Sequence, residues 1–157
     1  MSVAAKLKEY LDTNHADYHI ITHARSYTAQ DTAAAAHVPG RELAKTVVVK
    51  ADGQFALAVL PAPRKVDLDR LKAALGAEQV RVAYETEFSS LFPECEVGAM
   101  PPFGNLYGLE VYVDSSLAED EEIVFNASTH VEAIRMKYSE FERLASPRVA
   151  DFSSTGR

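Results

Sequence analysis

Leu43-Ala44-Lys45-Thr46-Val47-Val48-Val49-Lys50 and Phe55-Ala56-Leu57-Ala58-Val59-Leu60 are two β-rich runs, and Ala51-Asp52-Gly53-Gln54 stands between them. Asp-Gly flanked by such runs is a strong hairpin signal, because the tight turn needs positive φ at its centre. Period-two alternation sets Leu43, Lys45, Val47 and Val49 on one face of the first strand. A lysine on an apolar face must snorkel, pair, or line a cleft, since an unpaired buried ammonium is costly. Spacing alone leaves two readings for Lys45. It is a strand-end lysine reaching solvent, or a cation in a pocket that takes phosphate or carboxylate.

Outward from this hairpin, residues 3–13 place Val3, Leu7 and Leu11 at four-residue spacing, with Tyr10 beside them, which predicts an amphipathic helix. Residues 18–22 read as a strand. Thr28-Ala29-Gln30-Asp31 resembles a capping box ahead of the helix-favouring run Ala33-Ala34-Ala35-Ala36. Asp67 caps a helix carrying Leu68, Leu71 and Leu75, with Gly76 as its stop. Residues 80–83 form a short strand and 85–92 a helical turn. Gly98, Pro101, Pro102 and Gly104 make the stretch 96–105 a shaped loop. Strands follow at 109–114, 123–127 and 131–136. Ser139-Glu140-Phe141-Glu142 reads as a second capping box, opening a helix to about Ala145, and the residues after Pro147 read as a frayed polar tail. Strands and helices mix without regular βαβ alternation. The expected fold class is α/β, an α+β arrangement with a central mixed sheet and helices outside, in one domain over 1–157.

The chain has 157 residues, a net charge of −7 and a single cysteine. One cysteine excludes an internal disulfide and an all-cysteine zinc site. Neither an apolar run of about 18 residues nor a signal-peptide core is present, so a soluble cytoplasmic protein is expected. The negative total argues against a broad nucleic-acid footprint. It hides an asymmetry: residues 1–81 carry net +2, and residues 82–157 carry net −9. A locally basic site on the first half therefore stays open, with Lys45 in it and Arg25, Lys50, Arg64 and Lys65 able to assist.

The chain lacks a G-x-S-x-G elbow, a P-loop, a G-x-G-x-x-G and an H-E-x-x-H. Cys95 lies between Glu94 and Glu96, which disfavour its thiolate and its use as a nucleophile. His15, His19 and His23 recur every four residues, but strand-like surroundings spread them too far to chelate one ion easily. The 98–104 loop has two readings: a stiff frame whose backbone groups orient an ester and stabilise an oxyanion, or a connector crossing the sheet. His130 sits at a turn between two strands. It gains interest only if that turn faces Lys45 and Gly98.

Together these pieces resemble the YbaK/ProRS-associated domain family, the free-standing aminoacyl-tRNA deacylases and the editing domain inserted in bacterial prolyl-tRNA synthetases. The resemblance spans residues about 15–146. It rests on a histidine leading into Tyr27-Thr28-Ala29-Gln30-Asp31-Thr32-Ala33, on Leu43-Ala44-Lys45-Thr46, on Leu57-Ala58-Val59-Leu60-Pro61 and on Val66-Asp67-Leu68 with Leu75-Gly76. The G-x-x-x-P loop Gly98-Ala99-Met100-Pro101-Pro102, then Phe103-Gly104, and the strand Val111-Tyr112-Val113-Asp114 complete it. Each motif is weak, and their order and spacing make the match specific.

The resemblance implies a partly barrel-like mixed sheet and hydrolysis of the ester joining a wrong amino acid to the 3′-terminal adenosine of tRNA. Lys45 would contact the terminal phosphate and ribose. Gly98 to Pro102 would orient the aminoacyl carbonyl and the attacking water. His130 matches a polar position near the pocket, in a turn where many relatives have glycine at the Ser128 position. Thr28, Thr46, Met100, Phe103 and Gly104 complete the expected substrate surface. Orientation and dipoles suffice for an activated ester, so no metal, cofactor or covalent intermediate is expected. The expected substrate is tRNA-Pro carrying alanine, serine, threonine or cysteine. A prolyl-tRNA synthetase is a possible partner, and the chain is expected to be a monomer. Two alternatives stand beside this reading: a non-catalytic module that binds an aminoacylated or nucleotide end, and a small-ester hydrolase unrelated to tRNA.

Overall fold

The computed structural model describes residues 4–96 and 98–155, so Val3 of the first helix and Val97 of the loop lie outside the described residues. In chain order the elements are α1 (Ala5–Thr13), β1 (Tyr18–Thr22), α2 (Ala29–Ala35), β2 (Leu43–Ala51), β3 (Gln54–Pro61), β4 (Arg64–Val66), α3 (Leu68–Leu75), β5 (Val80–Val82) and α4 (Glu85–Phe88). Then come β6 (Glu110–Asp114), α5 (Ser115–Ala118), β7 (Glu122–Asn126), β8 (Glu132–Lys137), α6 (Tyr138–Ala145), β9 (Arg148–Ala150) and β10 (Ser153–Thr155).

The hairpin forms as its turn requires. Asp52 and Gly53 take φ of +48° and +84°, and β2 and β3 pair from Ala44 opposite Pro61 to Ala51 opposite Gln54. This hairpin is the middle of a mixed sheet ordered β1-β8-β7-β2-β3-β6-β9, with β5 also on β2. The outer edge of β2 is shared: β7 runs parallel to it at Leu43 and Ala44, and β5 antiparallel at Val49 to Ala51. The pairs β3–β6 and β6–β9 are also parallel, which makes the sheet mixed.

Alternation along β2 divides the packing. Ala44 and Val48 join the largest core, with Leu7 and Leu11 of α1 and Phe103, Phe125 and Phe141. On the opposite face, Leu43 meets Ala33 and Ala36 of the α2 region. Val49, with Val47 packed beside it, meets Leu71 of α3 and Phe152. The two helix starts form as read. Thr28 Oγ1 accepts from Asp31 N at 3.0 Å, Asp67 accepts from Asp69 N and Arg70 N at 3.1 Å, and Gly76 closes α3 at φ +65°.

Two expectations are corrected. The capping box at Ser139 does not open the last helix, which starts at Tyr138 after Lys137, without a side-chain cap. The residues after Pro147 are not a frayed tail. β9 pairs with β6, β10 pairs with β4, and Phe152 is fully buried. Asp114 Oδ1 fastens this segment by accepting Phe152 N and Ser153 N, both at 2.9 Å. Burial alone would raise the Asp114 carboxyl, but hydrogen bonds from Ser116, Phe152 and Ser153 outweigh it and hold it below the usual range. Among the described residues no helix is long and apolar enough to cross a membrane.

Candidate active site

Lys45 projects from β2 on the α2 side of the sheet, between the cluster around Leu43 and the one around Val49. It lines a cavity of about 380 Å³ with Thr28 and Gln30 from the start of α2, and with Ala62, Arg64 and Lys65 from the bend into β4. Burial, and then repulsion from Lys65, pulls the Lys45 ammonium below its ordinary value. Several other cations of the described residues are compensated, although Lys6, Lys72 and Lys137 are not among them. Arg81 and Lys50 share Glu87, and Arg143 holds Glu140. Among the described residues Lys45, Arg64 and Lys65 have no carboxylate within 4.0 Å. An acidic chain thus leaves three clustered cations without an acid at one pocket.

Gly98 and His130 meet at a second clasp. Gly98 has φ +87°, and a β-carbon built there would lie 3.5 Å from His130 Cε1. The turn after β7 is tied to the loop by main-chain bonds. Ser128 N donates to Ala99 O at 2.9 Å, and Glu96 N donates to Ser128 O at 2.8 Å. Ser128 itself takes φ +81°, a left-handed geometry that costs a residue other than glycine. Glycine would adopt the same geometry without that cost. His130 N donates to Glu96 Oε1 at 2.7 Å, and Arg25 lies 3.5 Å from the same oxygen. The His130 N–H, more than Arg25, holds the Glu96 carboxyl below the usual range.

The segment between β1 and α2 joins clasp and cavity. His23 N donates to Val131 O and Ser26 N to His130 O, and the Tyr27 ring stands 4.8 Å from the His130 ring. Ser26 Oγ lies 2.8 Å from Thr32 Oγ1, whose hydroxyl donates to Thr28 O. The parallel register of Leu43 with Val124 and Ala44 with Phe125 ends one residue before Lys45 on β2 and one before Asn126 on β7. Gly98 and Tyr27 thus both stand against the His130 ring, and Thr28, next to Tyr27 in the chain, lines the Lys45 cavity.

The rest of the loop is placed differently. Ala99, Met100, Pro101 and Pro102 are buried. Phe103 is fully buried, edge-on to Phe125 and Phe141, and is a core residue. At Gly104 an added β-carbon would stand 2.6 Å from Leu109 O, so this glycine serves internal packing. Thr46 is half-buried and alternates to the face opposite Lys45. The Gly98 N–H turns inward to Met100 Sδ at 3.2 Å, and Ala99 N donates to Glu96 O. The loop's leading N–H groups are thus used internally rather than held out to solvent.

A family model for the aminoacyl-tRNA editing domain matches residues 23–144. The chain belongs to the aminoacyl-tRNA editing domain family. The activity that follows is hydrolysis of the ester of an aminoacyl-tRNA, and the enzyme is a deacylase. A relative from Escherichia coli K12, the multifunctional Ser/Thr-tRNA deacylase ProXp-y, is 30% identical over 158 residues, 96% of this chain and 92% of the relative. Two solved structures share the fold. One is the protein APE2540, at TM-score 0.85 and 21% identity over 95% of this chain and 99% of that one. The other is described as a candidate trans-editing enzyme for prolyl tRNA synthetase, at TM-score 0.81 and 22% identity over 95% of each chain.

Within the editing domain, Glu96, Arg25 and Tyr27 are the parts that sequence reasoning missed as a unit. Glu96 drew notice only as a neighbour of Cys95. No local pattern announces a carboxylate that grips a main-chain N–H 34 residues later. Because that bond uses the backbone, His130→Ala keeps it and removes only the ring over Gly98 and Tyr27. The expected loss in kcat/KM is under about tenfold, below the ~10²–10⁴ of a general acid or base. A steady-state comparison with wild type on one aminoacyl-tRNA reads it.

Proposed function

We propose that the chain acts as one trans-editing unit in the cytoplasm. It would clear serine or threonine, and by the same pocket alanine or cysteine, from mischarged tRNA, with tRNA-Pro the leading acceptor. The observation that carries this reading is the Lys45 cavity, without an acid among the described residues and bordered by the Tyr27–Thr28 segment that also stands against the Gly98–His130 clasp. Lys45 takes the phosphate and ribose of the terminal adenosine. The ester carbonyl then lies toward Gly98, and a water attacks it with help from the neighbouring ribose hydroxyl. Thioether sulfur is a weak acceptor. The Gly98 N–H can therefore exchange Met100 Sδ for the carbonyl oxygen as negative charge develops there. The Escherichia coli relative is a Ser/Thr-tRNA deacylase, which favours those two amino acids. Pocket size separates small side chains only weakly, by about 1–3 kcal/mol per methylene.

A monomer that visits the synthetase only through shared tRNA fits this role. The test is a deacylation screen at fixed salt on tRNA-Pro charged with alanine, serine, threonine or cysteine, with serine and threonine on their own tRNAs as controls. At least one mischarged ester should lose its lifetime while proline on tRNA-Pro is spared. Binding without any change in ester lifetime would overturn the enzyme reading in favour of a recognition module. Equal activity on free amino-acid esters would favour a general esterase.

A further inference from the structure

A second cavity, of about 660 Å³, adjoins the Lys45 pocket and shares Pro63 and Arg64 with it. Its size is that of a small-molecule site. Arg41, Ser116, Glu119 and Asp120 supply its polar lining. Arg64 stands on the wall between the two cavities, and it is held there. Its Nε donates to Ser153 Oγ, and its Nη2 to Ser153 O at 3.3 Å. Ser153 is fully buried on β10, so the last strand of the described chain fixes the guanidinium. A guanidinium has five N–H donors, and those not turned to Ser153 remain for a ligand. Asp120 also lines the cavity, and its Oδ2 is buried with no hydrogen-bond partner among the described residues. A fixed fork beside a lysine pocket suits a phosphodiester. A carboxylate oxygen suits the exocyclic amine of cytosine.

We propose that this second cavity binds the nucleotide preceding the terminal adenosine, which is a cytidine in every mature tRNA. The phosphate linking the two nucleotides, which is the 5′-phosphate of the terminal adenosine, lies between Lys45 and Arg64, and the cytosine amine faces Asp120. This rests on the tRNA reading above and extends it from one nucleotide to two. It also gives the β4–β10 pairing a task, which is to hold Arg64 on the wall between the two cavities.

The test is a binding titration by NMR, using adenosine 5′-monophosphate and the dinucleotides CpA and UpA as unreactive probes. Wild type should bind CpA about fivefold or more tighter than the mononucleotide, and tighter than UpA by a few-fold, the size of one added hydrogen bond. Arg64→Gln should weaken CpA and the mononucleotide by a similar factor, because the 5′-phosphate of the mononucleotide is the group that links the two nucleotides in CpA. The salt slope for CpA should fall by about 0.7. Asp120→Asn replaces an acceptor with a donor and should turn the preference from CpA toward UpA. An Arg64→Gln variant that binds both probes as wild type does would overturn the proposal, as would a wild type that does not distinguish CpA from the mononucleotide. If Arg64→Gln does not fold, the Asp120→Asn preference decides alone, and an unchanged CpA-to-UpA ratio overturns it. A wild type that leaves every aminoacyl ester intact would instead overturn the deacylase role, with the dinucleotide ladder still reading the subsite.

Discussion

Lys45→Ala lowers kcat/KM for deacylation by about 10²–10³-fold, the size expected when one partner of a desolvated charged contact is removed. Thermal stability should stay level or rise. The second half of this expectation is the more diagnostic. The ammonium is half-buried on β2, with Lys65 as its charged neighbour and no acid within ion-pair distance among the described residues. Its charged form is therefore disfavoured in the folded protein. The sign follows from proton counting. The folded pKa lies below the ordinary value of 10.5, so the unfolded chain holds more proton between the lowered value and 10.5. Wild-type stability thus gains from Lys45 as pH rises through that window. Lys45→Ala, or the longer uncharged Lys45→Met, removes that gain and relieves the cost at neutral pH. Melting curves at pH 7 and pH 10 beside initial rates on one aminoacyl-tRNA check both halves. A structural lysine would show the reverse pattern, lost stability with retained turnover. Near-normal turnover in Lys45→Ala would remove it from the site.

Much of this was legible because it is local. Asp52-Gly53 fixes the hairpin, and alternation along β2 places Lys45 on the face where the structure has it. Thr28 and Asp67 start their helices within four residues of the groups they bind. The ends of the chain were not legible in this way. β9 and β10 are three residues each, with one apolar anchor, Phe152, and an Asp114 clamp 38 residues away. No periodicity survives in so short a strand. The loop at 98–104 was legible as irregular but not as buried. Glycine and proline announce a break in regular structure, and they do not say which side faces water. Phe103 fills the core because Phe125 and Phe141 leave it a place, which only the assembled sheet reveals. The Glu96 grip on the His130 turn is hidden for the same reason, as it links two loops through a main-chain donor.

Gly98→Ala should lower kcat by about 10–100-fold with a small change in KM, and lower thermal stability as well. Space is not the obstacle. The new methyl would stand 3.5 Å from His130 Cε1, an ordinary contact distance. The obstacle is φ +87°, where an L-residue pays on the order of 1–2 kcal/mol. The loop can relieve that strain only by rotating about Gly98. Rotation swings the Gly98 N–H away from Met100 Sδ and pulls on Ala99 O, which holds Ser128 N. The N–H proposed to meet the developing oxyanion is thereby misplaced. A misplacement of that kind affects the chemical step more than binding of the distant adenosine end. Two causes remain separable, strain in the backbone and crowding of the methyl against the His130 ring. The double variant Gly98→Ala/His130→Ala distinguishes them by its coupling. If crowding were the cause, loss of the ring would restore turnover toward the His130→Ala value. Strain predicts no rescue, because the positive φ persists when the ring is gone. Turnover in the double variant at or below that of Gly98→Ala is the expected result, and recovery to the His130→Ala level would refute the backbone account.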